Sequence, residues 1–179
     1  STDATLPPAK GRSAVLAGSC SVATRGQIAT AQGHWPSLNL DPLSFADTPE
    51  RGAADALAWV DSQIEDVTVL IYSSADPDAV AKAQSKLGRD KAGDLVEETM
   101  GAIAQGLVKR GVRRLIVAGG DTSGAVVQAL GITGLRIGAE IDPGVPWTET
   151  VNKPHMALAL KSGNFGAPDF FMKSLAMLP

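Results

Sequence analysis

The stretch RLIVAGGDTSGAVVQAL, residues 114–130, decides the fold class. Arg114 to Ala118 form an apolar run with no polar alternation, the mark of a strand covered on both faces. Gly119 to Gly124 read as a glycine-rich turn, and Ala125 to Leu130 continue as a helix. A buried strand that feeds a helix through a small-residue turn is the first half of a parallel crossover unit.

The same grammar recurs on either side. Ser13 to Ala17 (SAVLA) form a short apolar run closed by Gly18, and after Gly18-Ser19-Cys20-Ser21 a helical pattern lasts to about Gly33. Ser37 to Asp41 read as a brief strand, and Val67 to Tyr72 (VTVLIY) as a strong β-branched one. Helices are expected at about Glu50 to Gln63, Pro77 to Leu87 and Lys91 to Arg110. In the last, Val96, Met100, Ile103 and Leu107 recur at helical spacing before Gly111. Leu135 to Ile141 and Met156 to Leu160 read as two further strands, and Asp169 to Leu178 as a closing helix. The expected fold is α/β: a mainly parallel sheet with helices on both faces, Rossmann-like in layering but without the dinucleotide fingerprint. Ser1 to Arg12, with its Pro-Pro pair and no periodicity, reads as a linker or tag remnant, and residues 13–179 as one domain.

Composition removes several classes of function. The 179 residues are 44% hydrophobic and 20% charged, which is globular rather than disordered composition. A net charge of −3 with no basic stripe argues against nucleic acid as a partner. Apolar runs fall far short of the roughly 20 residues a membrane span needs, so no membrane partner is expected. One cysteine and two histidines exclude an internal disulfide and disfavour a closed zinc site. The default compartment on these grounds is cytoplasmic. Nineteen glycines against 4% aromatics suit helices packed closely on a sheet rather than a β-sandwich.

In open sheets of this kind ligands sit beyond the carboxyl ends of the strands. The sequence puts three small-residue bends there: Gly18 to Ser21, Gly119 to Gly124, and Ser162 to Gly166 (SGNFG). Phosphate oxygens need several donors at once, and such bends offer backbone N–H groups, hydroxyls and helix starts. The candidate contacts are Ser19 and Ser21; Gly119, Gly120, Asp121, Thr122, Ser123 and Gly124; and Gly163 and Asn164. Each also has a plainer role. Ser19, Thr122 and Ser123 can cap helices, Asp121 can be an N-cap, and the glycines can serve turn geometry alone. As a carboxylate, Asp121 would repel phosphate directly, so a functional role needs a magnesium ion between them or a proton-transfer task. Lys161, at a strand end, either neutralises a phosphate or is solvated. Trp147, after the rigid turn Pro143-Gly144-Val145-Pro146, either stacks on an adenine or covers a hydrophobic edge. Cys20 reads as a small packed thiol, and His34 and His155 as loop and strand-start residues. No Walker loop, G-x-G-x-x-G turn or G-x-S-x-G elbow is present.

Taken together, Ala17 to Ser21 with Thr24 and Gln27, Ala118 to Gly124, Pro143 to Pro146, and Leu160 to Gly166 resemble the C-terminal nucleotide-binding domain of the four-carbon acid sugar kinases. That family was formerly a domain of unknown function, and some of its members are labelled Hrp-dependent type III effectors. The resemblance covers about Ser13 to Pro179. It implies ATP and Mg²⁺ as cofactors and phosphorylation of an acid such as threonate, erythronate or a 3-oxo-tetronate. The acid would bind through an N-terminal domain whose Asp-Asp-x-Thr-Gly motif this chain lacks, so Ser1 to Arg12 would be the stub of the interdomain linker and the chain alone would not turn over. Where the family commonly reads Gly-Glu-Thr-Ser-Gly, Asp121 stands in place of the Glu. Self-association into a homo-oligomer is also implied. Two other readings stand beside it: a non-enzymatic module or effector acting through a partner surface, and a dehydrogenase-type dinucleotide domain.

Overall fold

The computed structural model describes residues 6–73 and 76–179. The first five residues of the segment read as a linker lie outside them. Among the described residues seven strands form one sheet: β1 (Arg12–Ala17), β2 (Ser37–Leu40), β3 (Val69–Ser73), β4 (Val112–Ala118), β5 (Leu135–Asp142), β6 (Val145–Thr150) and β7 (Ala157–Lys161). The helices are α1 (Val22–Gln32), α2 (Pro42–Phe45), α3 (Pro49–Asp61), α4 (Pro77–Leu87), α5 (Arg89–Lys109), α6 (Gly120–Ala129) and α7 (Phe170–Ala176).

Across the sheet the strands run β2-β3-β1-β4-β7-β6-β5. The first five are mutually parallel. At the far side β6 is antiparallel to β7, and β5 antiparallel to β6. The α/β, mainly parallel reading therefore holds, with an antiparallel hairpin added. The hairpin turns at Pro143-Gly144, since Asp142 pairs with Val145 and Gly144 has φ +84°. A proline followed by a positive-φ glycine is the type II turn pairing. The stretch read only as a rigid bend is thus the tip between two strands.

Strand alternation sends successive side chains to opposite faces, and both faces are covered. Leu16, Ile71, Leu115 and Val117 meet Val60 of α3, Met100, Ile103 and Leu107 of α5, and Val126 of α6. Val15, Leu70 and Ile116 meet Ile28 of α1 and Phe170 and Phe171 of α7. This double covering explains why β1, β3 and β4 read as unbroken apolar runs. Helix starts are marked by local chemistry. Ser21 caps α1 by accepting from Thr24 N, while Asp41-Pro42 and Asp76-Pro77 open α2 and α4 with a carboxylate cap and a proline.

The N-terminal segment is not wholly detached. Leu6 and Ala9 pack half-buried against the second cluster. Arg114 donates through Nε to Ala9 O at 2.7 Å and through Nη2 to Pro179 O at 2.5 Å.

The connectivity fixes where a ligand can enter. From β1 the chain goes out to β2 and returns to β3, then crosses over β1 to β4 on its other side. The carboxyl ends of β1 and β4 flank this reversal, the position at which open α/β sheets bind their ligands.

Candidate nucleotide site

The three bends read from the sequence meet above β1, β4 and β7. Gly18 N donates to Ala118 O at 2.9 Å and Gly119 N to Lys161 O at 2.8 Å, so each bend leaves its strand tied to the next. Thr122 Oγ1 stands where a side chain on Gly18 would have to go, 1.9 Å from a β-carbon built there. Likewise a β-carbon on Gly163 would lie 2.4 Å from Ser19 Oγ. These glycines are needed because the neighbouring bend occupies their side-chain space.

The first bend spends its hydroxyls on itself and on the third. Ser21 N donates to Ser19 Oγ at 3.1 Å, and Ser21 Oγ donates to Gly163 O at 2.5 Å. Thr24 Oγ1 donates to the same carbonyl at 3.0 Å. Gln27, buried at 1% exposure, donates through Nε2 to the carbonyls of Phe165, Gly166 and Ala167. From the other side Asp142 accepts from Ala167 N and pairs with Lys173 at 2.5 Å. The Lys173 ammonium and the Ala167 N–H hold the Asp142 carboxyl below the usual carboxylate range.

The second bend differs from the sequence reading. Only Gly119 lies outside the helix: α6 begins at Gly120, and Gly119 is its N-cap. Asp121 sits exposed in the first turn and caps nothing. Ser123 N donates to Gly119 O. The N–H groups of Gly120, Asp121 and Thr122 precede the first acceptor of the helix and have no intrahelical partner. The hydroxyls are less available: Thr122 is 4% exposed, and Ser123 Oγ is sealed from solvent with no partner among the described residues. Whatever this bend offers an anion comes from main-chain donors and the helix end.

The third bend carries no adjacent helix start. The chain runs on through 167–169 before α7, a seven-residue helix, so the helix-start donors expected there are absent. Lys161 is not solvated, the plainer of its two expectations. It is fully buried and donates to Thr24 Oγ1 at 3.0 Å, Ser162 O at 3.1 Å and Gly163 O at 3.0 Å. Trp147 is 2% exposed, with Nε1 donating to Ser174 O, so it fills the core rather than stacking on a ligand. Cys20 is exposed, not packed. His34 is exposed, and His155 Nδ1 lies 3.0 Å from Thr150 O, so neither approaches the bends.

Beside the first two bends a cleft of about 540 Å³ opens toward α5, lined by Gly18, Cys20, Asp121, Thr122, Asp94 and Glu97 among others. Of the ten candidate contacts only Asp121 and Thr122 are in its wall; the third bend abuts the first through Ser19 and Ser21. Burial and the nearby Asp121 and Asp94 charges raise the Glu97 carboxyl above its ordinary value. The wall sets one cation, Arg89, against four carboxylates, Asp90, Asp94, Glu97 and Asp121. Asp94 and Glu97 were not among the candidates from sequence, because they lie mid-helix in α5 and only the tertiary fold brings them opposite Asp121.

Comparison with known proteins is decisive for the family. Residues 14–171 match the nucleotide-binding C-terminal domain family, and the chain belongs to it. It is 53% identical over 175 residues to the 3-oxo-tetronate kinase of Burkholderia multivorans and 52% identical over 177 residues to that of Cupriavidus necator. Each match takes in 98% of this chain, and the chain spans about 40% of the length of these curated relatives. Among crystal structures, a Salmonella typhimurium LT2 protein provisionally described as a tRNA synthase superposes with a TM-score of 0.88 at 39% identity, over 96% of this chain and 42% of that one. A Bordetella bronchiseptica domain of unknown function, described as a domain-swapped dimer with bound citrate, shares the fold at TM-score 0.75 and 20% identity, over 93% of this chain and 40% of that one. No helix among the described residues is long and apolar enough to cross a membrane.

Proposed function

We propose that this protein is the ATP-binding part of a kinase that phosphorylates a four-carbon sugar acid of the 3-oxo-tetronate type. The observation that carries the reading is the meeting of the three bends beyond β1, β4 and β7, with the free N–H groups of α6 at their centre. The names of the relatives supply the acid. The residues 13–179 form the nucleotide-binding domain, and the acid and its base belong to the further length that the relatives have. The nucleotide contacts are Ser19, Ser21, Gly119 to Gly124, Gly163 and Asn164.

In this reading the phosphates lie over Gly120, Asp121 and Thr122. Their N–H groups and the helix end offset the charge that builds on the transferred phosphoryl group. The P–O bond to the β-phosphate oxygen breaks, a P–O bond to the acid's hydroxyl oxygen forms, and that hydroxyl loses its proton to a base outside this domain. The donor set suits Mg²⁺ only as a partner of the nucleotide. Among the described residues no three carboxylate, histidine or cysteine side chains are placed to hold a metal by themselves. Asp121 would give one ligand, the phosphates others, and water the rest. The crowding of Asp121, Asp94 and Glu97 leaves a charge deficit that the cation would relieve.

Calorimetry with ADP, Mg-ATP and NAD tests the reading. Binding of ADP and Mg-ATP in preference to NAD is expected, and Asp121→Asn should weaken Mg-ATP more than metal-free ADP. No binding of either adenine nucleotide at millimolar concentration would overturn it.

A further inference from the structure

Lys161 is fully buried at the carboxyl end of β7, and its three ammonium protons go to neutral oxygens: Thr24 Oγ1, Ser162 O and Gly163 O. No carboxylate contributes to its environment, and burial brings it down to about 8. A buried ammonium answered only by hydroxyl and carbonyl groups is solvated but not neutralised. The residue also lies at the junction of all three bends. Its carbonyl accepts from Gly119 N at the start of the second, its Nζ holds Gly163 O of the third, and Thr24 belongs to the helix that the first bend caps. The elements around it carry Cys20, Arg25, Asp121 and the Asp142–Lys173 pair. Asp142 is committed to Lys173 and Ala167 N, and Asp121 is exposed on the cleft side.

We propose that Lys161 is a positioning residue of the nucleotide site, holding the third bend against α1, and that the phosphates of a bound nucleotide supply its missing counter-charge, so that binding in mildly alkaline solution takes up a proton there. This rests on the nucleotide reading above. In the free protein the ammonium loses its proton as the pH passes about 8. A phosphate dianion beyond the bend favours the charged form and moves the group back toward its ordinary 10.5. Affinity must then fall as the pH rises, by linkage. Above pH 7.5 the nucleotide's phosphates are already ionised, so they contribute little slope.

The test is calorimetric titration with ADP between pH 7.5 and 9.5, in buffers of different ionisation heat. For the unaltered protein we expect affinity to fall by about tenfold across this range, with a fraction of a proton taken up per ADP near pH 8.5. Lys161→Met should bind ADP about tenfold more weakly at pH 7.5 and show no slope or uptake. Cys20→Ser, made in parallel as a change at an exposed thiol near the first bend that leaves Lys161 and its three partners in place, should keep the slope. Binding without slope or proton uptake overturns the proposal and leaves the nucleotide reading standing; so does a slope lost in Cys20→Ser or retained in Lys161→Met. Failure of ADP to bind at pH 7.5 overturns both. If Lys161→Met does not fold by circular dichroism, proton uptake by the unaltered protein and by Cys20→Ser decides the matter.

Discussion

Ser21 Oγ donates to the carbonyl of Gly163 at 2.5 Å, across 142 positions of sequence, while accepting from Thr24 N at the head of α1. One hydroxyl therefore caps a helix and ties two bends together. Ser21→Ala should cost about 1–2 kcal/mol in denaturant unfolding, the sum of a cap and a tether partly replaced by water. Ser21→Thr should recover most of it. Nucleotide affinity should fall with Ser21→Ala even where the protein remains fully folded, as calorimetry below the unfolding transition would show.

Gly163 cannot carry a side chain without moving Ser19, whose hydroxyl would lie 2.4 Å from the new β-carbon and is itself held by Ser21 N. Gly163→Ala should leave the folded core intact, since the bend lies outside both hydrophobic clusters, but should lower ADP affinity by at least tenfold. A thermal shift with saturating ADP checks this: the ligand-induced rise in Tm should shrink or vanish while the unliganded Tm changes by only a few degrees.

Gln27 is the main fastener of the 165–167 segment, giving one amide group to three carbonyls. Gln27→Leu keeps the volume and removes both donors. We expect unfolding free energy to fall by about 1–3 kcal/mol, the cost of unsatisfied buried carbonyls. Amides in residues 163–168 should also exchange markedly faster by hydrogen exchange. Unchanged exchange there would mean that Asp142 and Ser21 hold the segment without it.

Two titrations should mark the stability curve at opposite ends. The Asp142 carboxyl is held low by Lys173 and Ala167 N, so its contribution is present above the ordinary carboxylate range and is lost as the pH falls through the folded value. Asp142→Asn should lessen the acid-side loss of stability in urea unfolding. Lys161 works in the other direction. Its folded value of about 8 lies below 10.5, so between these the unfolded chain binds more protons and stability rises with pH. Without nucleotide, the protein should gain about 1–3 kcal/mol relative to Lys161→Met between pH 8 and 10.5.

The buried strands were legible because β1, β3 and β4 are apolar on both faces, and the helices because α4 and α5 show 3.6-residue spacing with a proline or glycine at their ends. The β5–β6 hairpin was only half legible. Val145–Thr150 reads PWTET after its valine, a polar string whose threonines and glutamate are buried by pairing with β5 and β7. Burial of that kind leaves no periodic trace. At the site, glycine and serine content located all three bends. It did not reveal that α6 starts at Gly120, because a glycine-rich helix start and a glycine-rich turn have the same composition. Lys161 was the hardest to place. A lysine at a strand end is ordinarily solvated, and only the convergence of Thr24, Ser162 and Gly163 on its ammonium makes a buried position tolerable.

The Gly163 carbonyl oxygen accepts from Ser21, Thr24 and Lys161 together. That peptide is trans, so the amide hydrogen of Asn164 must face the opposite way. Three inward anchors thus turn a soft, glycine-hinged amide into a fixed outward donor. Its aim is set by atoms on the far side of the bond, before any guest arrives.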